Sequence, residues 1–162
     1  VVQFTRSEKR ERFLAKVDRT EPDRCWEWPG FHDRHGYAKS GLGNGWPQLA
    51  HRAMYEILVG PIPDGLQIDH ICHNRGCLNP AHMQAVTAKQ NLENTIARPL
   101  SKSGVRGVYH DTRNPNNPWV VSVTHNGKSV YGGGFPTRDD AEHAAIALRN
   151  SLFTNNLSDR AQ

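Results

Sequence analysis

The chain has 162 residues, 36% of them hydrophobic and 8% aromatic, enough for one ordinary domain or two small ones with modest cores. Its 20 lysines and arginines against 16 aspartates and glutamates permit nucleic-acid binding without requiring it. Three cysteines exclude a disulfide framework, no apolar run reaches the roughly eighteen residues of a membrane span, and the opening VVQFTRSEKRER has no signal-peptide core, so a soluble intracellular protein is expected.

In chain order, residues 7–17 (SEKRERFLAKV) suit a short helix with Ser7 as its N-cap, and residues 49–58 (LAHRAMYEIL) suit a second. The turn-rich stretch Gly60-Pro61-Ile62-Pro63-Asp64-Gly65 leads into an extended run over 66–71 that delivers Asp69 and His70, and Asn79-Pro80 opens a helix. The stretch from Ala97 to Gly104 has no sustained period and includes Pro99 and Gly104, which makes residues 97–103 a linker between a unit at 1–96 and another at 104–155. Beyond it, residues 107–110, 119–124 and 128–131 read as strands, the last two joined by a type I′ turn at Asn126-Gly127. Thr137 then caps a helix to residue 150 with Ala141, Ala144, Ala145 and Leu148 at helical spacing. The expected class is α+β, ending in a small three-stranded antiparallel sheet packed on one helix. Charge is uneven along it: residues 1–96 hold 12 basic and 11 acidic side chains, residues 97–162 hold 8 and 5.

The densest chemistry lies in Asp69-His70-Ile71-Cys72-His73-Asn74-Arg75-Gly76-Cys77-Leu78-Asn79-Pro80-Ala81-His82. Cys72, Cys77 and His82 are five residues apart, and a thiolate–imidazole set is what zinc prefers. Cys25 is the one remaining thiol; as the distant fourth ligand it completes a Cys₃His structural zinc site and staples a domain whose core is small. The competing reading treats the cysteines as small buried hydrophobes. Asp69 and His70, at a strand end just before this loop, suit a divalent cation held through oxygen and a proton taken from water by the imidazole. The order His70, Asn79, His82 also spells the letters of an HNH motif.

The run Asp69-His70-x-Cys72-x₄-Cys77-x-Asn79-Pro80-x-His82, followed by Val86-Thr87 and Gln90-Asn91-Leu92, resembles the His-Me finger (ββα-metal) endonucleases of the HNH and His-Cys box homing kind, over residues 25 to about 96. The resemblance implies a zinc-stapled ββα-metal fold and a metal-dependent DNA endonuclease. It makes His70 the general base, Cys25, Cys72, Cys77 and His82 the zinc ligands, and Asp69 with Asn91 the ligands of a catalytic magnesium or manganese ion. Ala50-His51-Arg52 is similar to a segment ahead of the catalytic loop in phage HNH proteins, which offers Arg52 to the scissile phosphate. Asn79 is then a helix cap or a partner that orients His70, and Trp26 and Trp28 pack in a small core.

After the linker, Ser103-Gly104-Val105-Arg106-Gly107-Val108-Tyr109, Trp119, Gly127-Lys128, Gly134-Phe135-Pro136-Thr137 and the alanine-striped helix resemble the Apetala or ethylene-response-factor type of DNA-binding domain, over roughly residues 101–153. That resemblance implies a sheet face in the major groove of double-stranded DNA, with Arg106, Arg113, Trp119, Lys128 and Tyr131 as contacts; packing within the sheet is the competing reading for Trp119 and Tyr131. A nuclease with a DNA-holding module is the expected function. The alternative is a zinc-stabilised, sequence-specific DNA-binding regulator without hydrolytic activity.

Overall fold

The computed structural model describes residues 4–43, 45–96 and 102–160, and the chain divides into two compact units, residues 1–88 and 89–162. It is α+β throughout, with one two-stranded and one three-stranded antiparallel sheet. No helix among the described residues is long and apolar enough to cross a membrane.

The first unit opens with α1, Arg6–Leu14. Its N-cap is Thr5 rather than the expected Ser7, because Glu8 stands three residues after Thr5. The Thr5 side chain accepts from the Glu8 N–H at 3.3 Å and the Glu8 carboxylate accepts from the Thr5 N–H at 2.7 Å. The helix also ends before the expected residue 17, with 15–17 closing as a tight turn. Helix α2, Ala50–Leu58, buries Ala50, His51, Ala53, Met54 and Ile57, one face of a helical period. The four apolar residues among them pack with Phe13, Trp28 and Leu78, so the unit's core joins α1, α2 and the cysteine-bearing loop. Trp28 is buried with its ring 5.0 Å from Phe13, and Trp26 packs partly against the same cluster.

Strand β1, Gln67–His70, pairs antiparallel with β2, Met83–Val86, placing Asp69 opposite Gln84 and His70 opposite Met83. A helix is expected from Asn79-Pro80, but only one 3₁₀ turn forms, Pro80–His82, before β2 begins. Pairing with β1 and burial of Met83 and Val86 outweigh the proline start signal.

Helix α3, Ala88–Glu93, starts at the end of the first unit and runs into the second. Its last turn is held from within the second unit. The Glu93 carboxylate accepts from the Thr154 N–H and hydroxyl and from the Asn155 N–H, and the Asn94 side-chain oxygen accepts from Leu157 and Ser158. Residues 97–101 of the expected linker lie outside the described residues.

The second unit is a meander of β3, Val108–His110, β4, Trp119–His125, and β5, Lys128–Phe135, with α4, Arg138–Leu152, packed on one face and α5, Leu157–Arg160, following. Asn126 and Gly127 both have positive φ, 50° and 73°, as the type I′ turn requires. Thr137 caps α4 by accepting from the Asp140 N–H at 3.1 Å, and Ala141 and Ala145 are fully buried. Strand β5 runs on past residue 131 through three glycines. A Cβ on Gly132 would come within 2.6 Å of Val121 and 2.9 Å of Leu148, so the bare backbone is what lets α4 and β4 close on this strand.

Candidate metal centre and active site

Residues 25 and 72–82 meet because the chain on either side of Cys25, residues 22–27, is laced to residues 77–79. Glu27 pairs with Cys77 as an isolated bridge, the Leu78 N–H donates to the Trp26 carbonyl at 2.8 Å, and the Asn79 amide donates to the Pro22 and Arg24 carbonyls, each at 2.7 Å. Asn79 meanwhile accepts from the Ala81 N–H and caps the 3₁₀ turn. With its amide and carbonyl occupied in this way, Asn79 acts as the cap and clamp and makes no bond to His70.

The result gathers Cys25, Cys72, Cys77 and His82, whose ligand atoms all lie within 4.8 Å of one another. Cys25 Sγ and Cys77 Sγ are each 3.6 Å from His82 Nδ1. Zinc–sulfur bonds of about 2.3 Å and zinc–nitrogen bonds of about 2.0 Å give tetrahedral edges of about 3.5–3.8 Å, so the donor set fits one zinc ion in both chemistry and spacing. Burial pushes the Cys77 thiol up to about 12 and raises Cys72 as well, so a metal entering here displaces protons. The Asn79 N–H, 3.4 Å from Cys77 Sγ, is a ready partner for the thiolate.

His70 ends β1 beside this loop and is 5% exposed. Its Nε2 lies 3.0 Å from the Cys77 carbonyl oxygen, which can only accept, so Nε2 carries the proton and Nδ1 is the ring's basic nitrogen. Burial lowers the His70 pKa, while the Cys77 bond and the Asp69 charge pull the other way. The ring is therefore neutral at neutral pH. Asp69, also buried, accepts from the Gln84 amide at 3.0 Å across the strand pair.

His51 of α2 meets His70 edge to face at 4.7 Å between ring centres, with Tyr37 5.6 Å from His51 and the Arg75 guanidinium over Tyr37. Burial, then the charge of His70, holds the His51 pKa down at about 3, and its Nδ1 finds no partner among the described residues. The ring is a neutral wall for His70. The sequence marks it only as a helix histidine, since its pairing with His70 is made by the fold. Because His51 titrates at 6.5 when unfolded and near 3 when folded, the unfolded chain alone binds the proton between those values and stability falls with acid. In denaturant unfolding with zinc in excess, the wild type is expected to lose about 2 kcal/mol more stability than a His51→Phe variant between about pH 7 and about pH 5, the pH dependence of zinc binding being common to both; equal losses would contradict a buried neutral ring.

Arg52 follows His51 on α2, half-buried, and its guanidinium makes no hydrogen bond or ion pair among the described residues. Asn91 sits on α3.

In the second unit the five expected DNA-contacting residues part company. Arg106 turns inward, donating to the Glu93, Thr95 and Leu92 carbonyls at 2.7, 2.8 and 2.9 Å. Trp119 packs with Phe135 against the core on the α4 side of the sheet. Arg106 is expected on the binding face and Trp119 either there or packed within the sheet; the structure turns Arg106 inward because carbonyls at the end of α3 need a donor, and strand alternation sends Trp119 to the same side as Val121. Arg113 is exposed but paired with Asp111, holding that carboxyl down at about 2. Lys128 opens β5 beside the hairpin turn, Tyr131 is 71% exposed, and Tyr109 on β3 is exposed as well. Arg106→Ala is expected to destabilise the protein by about 2–3 kcal/mol, since its bonds to carbonyls are charge-assisted. A thermal melt of that variant superimposing on the wild type would contradict this structural role.

Residues 48–93 match the HNH endonuclease family model. The chain is 35% identical to protein 7.7 of Escherichia phage T7 over 80 residues, covering 49% of this chain and 61% of that protein. It is 31% identical to protein 2.8 of the same phage over 100 residues, covering 61% of this chain and 68% of that one. An uncharacterized HNH endonuclease of Acanthamoeba polyphaga mimivirus is 28% identical over 104 residues, covering 64% of this chain and 52% of the viral protein. No solved structure matches.

Proposed function

The chain belongs to one family with protein 2.8 of phage T7 and carries an HNH endonuclease segment at residues 48–93, and from that premise we propose that it hydrolyses phosphodiester bonds of duplex DNA as a homing or mobile-element type endonuclease. The observation that carries this reading is the His70 ring: Nε2 is committed to the Cys77 carbonyl, which leaves Nδ1 basic beside a buried carboxylate.

In this reading His70 Nδ1 takes a proton from water, the water oxygen bonds to phosphorus, and the bond to the 3′ oxygen breaks, with that oxygen taking up a proton from solvent. Arg52, whose guanidinium is unpaired among the described residues, offers it to the scissile phosphate. Asp69, with Asn91 as the resemblance assigns it, would hold magnesium or manganese, which neutralises charge on the phosphate and the departing oxygen. Cys25, Cys72, Cys77 and His82 would hold a structural zinc, which fixes the carbonyl that orients His70. The ββα-metal reading of β1, β2 and α3 belongs to the same proposal.

The second unit serves in this reading as the DNA-holding module of the Apetala type, supported by its three strands on one helix. Arg113, Lys128 and Tyr131 remain outward candidates for DNA contact, joined by Tyr109. Incubation of purified protein with supercoiled plasmid and magnesium tests the function. Nicked or linear product is expected, and intact plasmid with retained DNA binding would favour the non-hydrolytic regulator.

A further inference from the structure

The near-neutral balance of the first 96 residues hides a local concentration of charge, since residues 6–16 carry five basic side chains and two acidic ones. One of the acids, Glu8, is occupied in the Thr5 capping box. Lys9, Arg12 and Lys16 are spaced i, i+3 and i+7, which puts them along one side of α1 and the turn that follows it. With Phe4, Trp28 and the 40–42 turn, these three line a shallow groove of about 220 Å³ that contains no carboxylate.

The ion pairs among the described residues of this unit, Arg24–Glu21 and Lys39–Asp33, use none of the three. Aromatic faces steady two of the cations instead: the Arg12 guanidinium lies 4.0 Å from the centre of the Phe4 ring and the Lys16 ammonium 5.7 Å from that of Trp28. A ring holds a cation in place without neutralising it, so the groove presents an ordered row of positive charge. Its volume is below the roughly 300 Å³ at which enclosed small-molecule sites begin, and its open form suits a polymer backbone better than a free ligand. None of its lining residues belongs to the His70 cluster.

We propose that this α1 groove is a sequence-independent contact for the phosphodiester backbone of duplex DNA, an inference that rests on the nuclease reading. Phosphate contacts fix register and add affinity whatever the bases, which suits a face remote in sequence from both the base-reading module and the cutting residues.

The test compares the full-length wild type with a Lys9→Gln, Arg12→Gln, Lys16→Gln variant on a short duplex of arbitrary sequence, without magnesium, across a potassium chloride series. The slope of log affinity against log salt is expected to shrink by about 2–3, near 0.9 for each phosphate that is no longer neutralised, and affinity at low salt to fall at least about tenfold. Zinc content must stay at one ion per chain, which shows that the three surface changes leave the fold in place. Unchanged slope and affinity in the variant, beside a wild type that binds, would overturn the groove contact and leave the nuclease reading standing. A wild type with no affinity for duplex at any salt would bring down both.

Discussion

His70→Ala should bind duplex DNA as the wild type does and cut it about 10²–10⁴-fold more slowly, the range that a positioned general base supplies. The ring is placed for that work by a bond on its far nitrogen, Nε2 to the Cys77 carbonyl, so the proton can be accepted only at Nδ1. Burial then keeps the ring neutral, with the nearby charges of Arg75 and His73 acting in the same direction. Because the base is active only when unprotonated and its pKa is lowered from 6.5, the His70-dependent part of the rate should stay level as pH falls from neutral and be lost only below that value. A plasmid-cleavage series over pH reads this limb directly. Cleavage by His70→Ala at the wild-type rate would end the mechanism, whereas loss of DNA binding along with cleavage would point to a damaged loop.

The Cys₃His cluster and the Asp69-His70 pair are legible in the sequence because residue type and spacing carry their chemistry: the chain has three thiols, and of its nine histidines His82 continues the five-residue spacing of Cys72 and Cys77. The meander and its capped helix are legible for the same reason: Asn126-Gly127 and Thr137 act through local backbone rules. Other features depend on partners distant in the chain. Arg106 is a basic residue in a basic stretch until the carbonyls at 92, 93 and 95 come within reach of it. Met83 to Val86 becomes a strand because β1 is there to pair with it, and the glycines of β5 are tolerated because α4 closes over them. The α1 cap is open to sequence reading, since Thr5-x-x-Glu8 is a complete capping box and Ser7-x-x-Arg10 is not.

Cys77→Ser should leave the protein without zinc and without a cooperatively folded first unit. Cys77 is fully buried, its sulfur is 3.6 Å from the His82 nitrogen, and its carbonyl is the one that orients His70. A structural zinc is worth about 10–16 kcal/mol in small zinc domains at neutral pH, comparable to the whole stability of about 5–15 kcal/mol that a domain has to lose. Even with the α1–α2 core contributing on its own account, the unit should not survive removal of a ligand. Acid should act on the same site, because burial raises the Cys72 and Cys77 thiols and zinc must displace a proton from each. Below those pKa values zinc affinity should therefore climb by about a hundredfold per pH unit from these two thiols alone, measured by chelator competition at two pH values. Metal analysis finding no zinc in the wild type, or a Cys77→Ser protein that melts as the wild type does, would remove the staple. In that case the position of His70 would have to be explained by the β1–β2 pair without it.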